Sequence, residues 1–128
     1  MSQRIVPESM KSWYESLHFA PAVIDGNHVR CSGMIGVDLG SGVCPKDPAE
    51  QFDLAFKNLG DVLNAAETSF SDVLEMTTFH VGLQTHLEIF LEIKDQYLTE
   101  PYPAWTAIGV SELAISDAIV EIRVTATK

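Results

Sequence analysis

The fold is decided by the run at residues 118–125, which reads AIVEIRVT. β-Branched residues alternate there with polar ones, and a period of two is typical of a half-buried β-strand. Glu121 and Arg123 therefore point to one face of a sheet, and the valines and isoleucines around them point to the other. We predict a strand whose first face packs on a core and whose second face carries charged side chains.

Apolar periodicity and turn residues divide the rest of the chain into similar elements. The sequence predicts a β-hairpin, a helix, a strand, a second helix and a further strand, in that order, at residues 19–35, 49–67, 73–81, 86–98 and 104–110. Asp47 is placed to cap the first helix, and Pro48 fits its first position. The order ββαβαββ predicts an α+β fold with two helices on one face of a mixed sheet.

The uncovered face of this sheet meets either solvent or another subunit. It carries Glu121 and Arg123. The neighbouring strand adds to it either Trp105, Ala107 and Gly109 or the opposite set of side chains. We favour a second subunit, because Phe79 and Trp105 would otherwise be large exposed apolar groups.

Size and charge exclude several classes of protein. The chain has 128 residues and a mass of 14.1 kDa, which predicts a single domain over residues 1–128. Eight basic residues against 18 acidic ones give a net charge of −10, so we expect no nucleic acid and no membrane as a partner. Because no signal segment and no stretch of about 18 apolar residues is present, we expect a cytoplasmic protein.

The motifs of metal and cofactor sites do not occur in this sequence. The four histidines, at positions 18, 28, 80 and 86, lack the spacing of metal ligands. The glycine-rich segment at residues 40–42, GSG, is followed by a loop rather than a helix, so it does not fit a phosphate-binding loop. Cys31 and Cys44 form no CxxC pair, and we expect both to be free thiols. We expect no metal and no cofactor.

Glu121 is the candidate catalytic residue. A carboxylate within a β-branched strand is unusual, and burial against a partner would raise its pKa toward the range of a general acid or base. A salt bridge to Lys94, or to Arg123 of a neighbouring chain, would explain it equally well. Trp105 also has more than one interpretation, since an indole on a strand can belong to a core, to an interface or to the stacking wall of a ligand pocket.

Short motifs along the chain resemble the successive signatures of the Rid family, also called YjgF/YER057c/UK114. In order, they are the run at 19–23 (FAPAV) with Gly26, Ser32-Gly33, Gln51, Asn58-Leu59, Phe90 with Tyr97, Pro103-Ala104 and Val120-Glu121-Ile122. The resemblance covers about residues 19–127. It implies a chorismate-mutase-like α+β fold and a homotrimer with sheets facing inward, with small-molecule pockets in the clefts between subunits. The best-studied branch hydrolyses enamines and imines derived from amino acids and releases ammonia.

The resemblance also implies site residues, and it carries over only in part. Glu121 matches the carboxylate that is thought to position or activate water, and Ser32 and Gly33 match the pair that lines the pocket. Trp105 stands where the deaminases have the Arg that binds the substrate carboxylate. An indole offers one neutral N–H in place of two charge-assisted hydrogen bonds, so we expect this anchor to be lost unless Lys94 or Arg123 replaces it.

Three other positions depart from the family pattern: Phe19 replaces a Tyr, Met34 a Gln and Lys94 an Asn. We therefore expect Glu121 to be catalytic. The expected substrate-binding residues are Trp105, Phe19, Ser32, Gly33, Lys94 and Ala107.

Two functions remain open at this point. One is a divergent deaminase or hydrolase of imines, enamines or related reactive compounds. The other is a non-catalytic trimer that senses or sequesters a small metabolite. A ribonuclease, an activity sometimes ascribed to the family, is disfavoured by the charge of −10.

Overall fold

The computed structural model describes residues 2–128 and contains, within them, a seven-stranded mixed sheet and three α-helices. The strands are β1 (Ser2–Ile5), β2 (Ala22–Asp25), β3 (His28–Cys31), β4 (Met34–Ile35), β5 (Val73–His80), β6 (Ala104–Gly109) and β7 (Val120–Thr127). The helices are α1 (Lys11–Leu17), α2 (Pro48–Ala65) and α3 (Leu83–Lys94). The prediction of an α+β fold is confirmed.

Strand β7 lies near the middle of the sheet. The order is β1-β2-β3-β7-β5-β6, and the short β4 also pairs with β7. Every pairing is antiparallel except that between β5 and β6, which α3 connects as a crossover. Strand β6 is therefore an edge strand, and no strand among residues 2–128 pairs with its other side.

The predicted elements occur close to their predicted positions, and the predicted helix cap and hairpin turn are present. The Asp47 carboxylate accepts a hydrogen bond of 3.1 Å from the Glu50 backbone N–H, and Pro48 begins α2. The turn at Gly26, whose φ is +61°, joins β2 to β3. Helix α3 runs earlier than predicted, from Leu83 to Lys94 rather than from 86 to 98.

The number of helices differs from the prediction of two. Strand β1 and helix α1 precede the hairpin, and neither was predicted. The first three residues of β1 are exposed, and none of the residues of α1 is fully buried. Segments of this kind form by pairing and packing against elements distant in sequence, so the local pattern carries only a weak signal.

The core lies between the sheet and the helices α2 and α3. Val120 and Ile122 of β7 are fully buried there against rings that include Phe52 and Phe90. The predicted alternation in β7 is confirmed, because Glu121 is only partly buried and Arg123 is exposed.

Trp105 lies on the face of the sheet that the helices cover. Its ring centroid is 5.9 Å from that of Phe90 of α3. The interpretation of Trp105 as an apolar group on the uncovered face was therefore wrong. Thr106 and Ile108 take that place, beside Thr77 and Phe79 of β5. Within the described residues, 2–128, no helix is long and apolar enough to cross a membrane.

Candidate functional site

Glu121 lies in a cavity of about 180 Å³ beside the centre of the sheet. Gly33 and Ile35 line the same cavity, and Ile35 of β4 pairs directly with Glu121 of β7. The sheet thus provides the polar group of the cavity and the floor around it.

The other walls of the cavity are apolar. Helix α1 contributes Trp13 and Leu17, the following segment contributes Phe19, and the segment before β7 contributes Ala114 and Ile115. The rings of Trp13 and Phe19 are tilted by 32° with centroids 5.9 Å apart. Glu121 is the one charged residue of this lining.

Sequence reasoning did not find Trp13 and Leu17. Their signal was present, because Met10, Trp13 and Leu17 are apolar residues spaced three and four apart. Only Met10 of the three is fully buried, and it anchors the start of α1 in the core.

The Glu121 side chain lies directly against Gly33. A Cβ atom on residue 33 would overlap the carboxylate and would stand 2.6 Å from the Glu121 Cγ. Any side chain at position 33 would thus occupy the space that the carboxylate fills. This contact gives a physical reason for a glycine after Ser32, beside the strand that carries Val120-Glu121-Ile122.

The Glu121 carboxylate has no cationic partner among residues 2–128. The ion pairs in this part of the chain join Lys57 to Asp53, Lys94 to Asp95 and Lys128 to Glu67. Burial raises the pKa of Glu121 above its ordinary value. A half-buried carboxylate in apolar surroundings holds a proton more readily than an exposed one, and this is the property of a general base that must both take up and return a proton.

A buried amide on α2 fixes the segments that lead into the cavity. The Gln51 Nε2 donates hydrogen bonds of 3.0 Å to the carbonyls of Pro45 and Asp117. Its Oε1 accepts a hydrogen bond of 2.6 Å from the backbone N–H of Ile119. Gln51 therefore ties the loop at Pro45 to the segment that enters β7.

A second amide on α2 fixes the other side of the floor. The Asn58 Nδ2 donates hydrogen bonds of 2.9 Å to the carbonyls of both Ile35 and Val37. Gln51 and Asn58 entered the sequence analysis only as motifs of a resemblance. The structure gives them a role as internal braces for the two segments that flank Glu121.

Ser32 lies next to the cavity but turns its hydroxyl elsewhere. Its Oγ donates a hydrogen bond of 2.7 Å to the carbonyl of Ala20 and fixes the entry to β2. It lines a second, more open cavity of about 510 Å³ together with Arg4 and His18. Phe19 lines both cavities.

Trp105, Lys94 and Ala107 do not line the Glu121 cavity of their own chain. The Trp105 Nε1 donates a hydrogen bond of 2.9 Å to the Thr78 Oγ1 on the helix-covered face. The Lys94 Nζ lies 5.2 Å from the centroid of the same indole and 3.1 Å from the Asp95 Oδ1. Of the residues expected in the site, one chain thus brings together Glu121, Gly33 and Phe19, with Ser32 adjacent. A salt bridge from Lys94 to Glu121 within the chain was a wrong interpretation.

The hydrogen bond of Trp105 belongs to a small buried network. The Thr78 Oγ1 lies 2.7 Å from the Nε2 of His80, which is 1% exposed. Burial, with a smaller contribution from His86, lowers the pKa of His80 to about 4. His80 is therefore neutral at pH 7. The Thr78 hydroxyl oxygen accepts a hydrogen bond from the indole N–H and shares a second one with the His80 Nε2, in which the tautomer of His80 decides the donor.

Both cysteines are buried free thiols, as predicted. In residues 2–128, no three side chains of His, Cys, Asp or Glu come together in a way that could hold a metal ion.

Comparisons of the sequence and of the structure with known proteins lead to the same family. Residues 11–128 match the model of the family described as Ribonuc_L-PSP, endoribonuclease L-PSP. The chain is 33% identical over 123 residues to the RutC family protein YjgH of Escherichia coli (strain K12), covering 95% of this chain and 92% of that protein. A solved structure of protein YjgH aligns with a TM-score of 0.89 at 32% identity, covering 98% of this chain and 95% of the other.

A human protein with a named activity is also similar. The 2-iminobutanoate/2-iminopropanoate deaminase of Homo sapiens is 31% identical over 96 residues, which cover 74% of this chain and 69% of that protein.

Proposed function

This chain belongs to the Ribonuc_L-PSP family, which includes the YjgF and Rid proteins, and we propose that it hydrolyses small imines or enamines. The observation that carries the proposal is the Glu121 carboxylate, which lies without a cationic partner in an apolar cavity of about 180 Å³. The name of the similar human deaminase supports the same reaction class.

The proposed chemistry needs one base and a bound water. Water attacks the imine carbon, and Glu121 accepts a proton from that water as the C–O bond forms. Glu121 returns that proton to the nitrogen, which gives a neutral carbinolamine. Glu121 then carries the hydroxyl proton to the nitrogen as the C–N bond breaks, which releases ammonia and leaves a carbonyl compound. These reaction steps need no redox cofactor, because no electrons are exchanged with a second molecule.

We further propose a homotrimer of about 42 kDa, in which the pockets lie in the clefts between subunits. Support comes from the uncovered sheet face, where Glu121, Phe79 and Ile108 lie side by side across β7, β5 and β6 and Ile108 is 40% exposed. The edge strand β6 is free to meet another subunit. In such a cleft, Trp105 and Ala107 of one subunit would complete the pocket around Glu121 of the next, while the Lys94 ammonium stays with Asp95 and the indole.

The carboxylate anchor of the deaminases is proposed to be absent. The Trp105 N–H already donates to Thr78, so the indole offers a substrate its ring but no hydrogen-bond donor. Lys94 is held by Asp95, and Arg123 lines a different cavity, with Glu75 and Thr77. This loss also favours the second candidate function, a non-catalytic trimer that binds a small metabolite.

A matched pair of imines tests the proposal. An amine oxidase acting on 2-phenylethylamine and an amino-acid oxidase acting on phenylalanine generate imines that differ by one carboxylate. Trapping of the remaining imine with semicarbazide measures hydrolysis. We expect turnover of the imine without a carboxylate to exceed that of the carboxylated one by a factor of about 30 to several thousand.

Variants at position 105 test whether the missing Arg causes the expected difference between the two imines. Trp105→Arg should raise turnover of the carboxylated imine, whereas Trp105→Phe, which keeps an aromatic ring against Phe90, should not. Efficient hydrolysis of the carboxylated imine by the wild type would contradict the lost anchor. Hydrolysis of neither imine would favour the non-catalytic binding protein.

A further inference from the structure

We infer that the Glu121 cavity selects a small organic cation, an ammonium or iminium ion with an apolar substituent and no carboxylate. The inference rests on the proposed function in taking this cavity as the ligand site, and it goes further by naming the charge of the ligand. Three features of the described residues lead to it.

The first feature is an uncompensated charge. Glu121 is the only charged residue in the lining of its cavity, and none of the lysine or arginine side chains in the ion pairs of residues 2–128 contacts it. A half-buried carboxylate without a partner loses part of its hydration without compensation, and a ligand that brings its own positive charge lowers that cost. A neutral ligand would leave the carboxylate unpaired, and an anion would be repelled by it.

The second feature is an aromatic pair in the cavity wall. Trp13 and Phe19 both line the cavity, and their ring centroids lie 5.9 Å apart. The faces of such rings attract cations, and the attraction is strongest for indole. A primary ammonium or iminium group can thus contact the carboxylate while its substituent packs on Trp13, Phe19 and Ile115.

The third feature is the difference in charge surroundings between Glu121 and a second carboxylate on the same face of the sheet. Glu75 lies on the same face of the sheet, but the cavity that it lines also contains Arg123. The carboxylate of Glu75 therefore has a cation in its surroundings, and that of Glu121 does not. The protein as a whole carries a charge of −10, which attracts cations and repels carboxylated ligands.

The proposed cation fits the proposed reaction. The C–N carbon of an iminium ion is more electrophilic than that of the neutral imine. Attack by water with proton transfer through Glu121 gives an ammonium-bearing tetrahedral species, which releases ammonia as the carbonyl forms and the hydroxyl proton leaves with it. The balance is one iminium ion and one water giving one carbonyl compound and one ammonium ion.

Binding of stable analogues tests the inference without turnover. Isothermal titration calorimetry would compare 2-phenylethylammonium with its neutral isostere 2-phenylethanol, using the purified full chain. We expect the wild type to bind the ammonium at least tenfold more tightly than the alcohol. Glu121→Gln should abolish that preference, and Trp13→Leu should weaken ammonium binding by about three- to tenfold. Glu75→Gln, which removes a carboxylate from the same face, should leave the preference intact.

Equal binding of the two analogues by the wild type, or an unchanged preference in Glu121→Gln, would overturn the inference. If the preference depends on Glu121 but no imine is hydrolysed, the inference is supported and only the hydrolase proposal fails. If imines are hydrolysed without any preference for the ammonium, the inference fails and the hydrolase proposal stands.

Discussion

The Glu121 carboxylate occupies the space that a side chain at Gly33 would fill. A Cβ atom at residue 33 would lie 2.6 Å from the Glu121 Cγ, well inside van der Waals contact. Glycine at position 33 thus leaves room for the Glu121 side chain in its present position, and this close approach explains the residue better than the backbone does, since Gly33 has no left-handed φ.

This contact predicts the effect of Gly33→Ala. The added methyl group should push the carboxylate out of the cavity, because the Glu121 side chain can rotate while the backbone of the sheet cannot. We expect a protein that still folds, with a loss of about 1 to 2 kcal/mol in the free energy of unfolding, but with imine hydrolysis reduced at least tenfold. Urea unfolding and the semicarbazide assay measure the two effects.

A matched control for this variant is Gly109→Ala on β6. The nearest atom to a Cβ there is the Leu83 Cβ at 3.8 Å, an ordinary contact. We expect this variant to keep wild-type activity. If Gly33→Ala is as active as Gly109→Ala, the position of the carboxylate does not matter for the reaction.

The uncovered sheet face predicts a change of oligomeric state on substitution of Ile108. Light scattering of the wild type at micromolar concentration should give the mass of a trimer, about 42 kDa. Ile108→Glu places a charge on the proposed apolar interface and should shift the mass toward that of one chain. Val43→Glu, at a residue that is 62% exposed in a loop, should leave the trimer intact. A wild-type monomer at this concentration would disprove both the trimer and the pockets between subunits.

His80 predicts how stability depends on pH. Burial lowers the pKa of His80 to about 4, whereas an unfolded chain has a histidine pKa of about 6.5. Between these values the unfolded state binds a proton that the folded state does not. The contribution of neutral His80 is therefore complete above pH 6.5 and is lost as the pH falls toward 4, by about 1 to 3 kcal/mol.

Chemical denaturation at a series of pH values, for the wild type and His80→Gln, isolates this contribution. The glutamine can still face the Thr78 hydroxyl, but it does not titrate. The difference in unfolding free energy between the two proteins should shrink as the pH falls from 6.5 to 4. A difference that is constant over this range would contradict a buried neutral histidine.

The charge of the chain predicts that it neither binds nor cleaves RNA at physiological salt, although the name of its family refers to an endoribonuclease. Eight basic residues among 18 acidic ones supply no continuous basic surface for a phosphate backbone. Filter binding and incubation with a labelled single strand check this. Tight binding that weakens steeply with added salt would show that cations cluster in a way that the sequence does not indicate.

Strand β7 could be predicted from the sequence because its period is local. The alternation of Val120, Glu121 and Ile122 fixes which side chain faces the helices whatever the partner strands are. The cap of α2 at Asp47 could be predicted for the same reason, since its hydrogen bond spans only three residues.

The surroundings of Glu121 could not be predicted in this way. The walls of its cavity come from α1, from the segment after it, from β4 and from the segment before β7, so they depend on how distant parts of the chain pack. The face on which Trp105 lies depends on the register of β6 against β5, and a shift of one residue would reverse it. The family resemblance supplied Glu121, Gly33 and Phe19, but it gave no indication of Trp13.

Glu121→Gln tests the proposed chemistry most directly, because it keeps the shape of the side chain and removes its base. The value of kcat/KM for hydrolysis of the imine of 2-phenylethylamine should fall by about 100-fold or more. The melting temperature should stay equal or rise, because the raised pKa of Glu121 means that its charged form is disfavoured in the folded protein. A folded Glu121→Gln protein that hydrolyses this imine at the wild-type rate would contradict catalysis by Glu121.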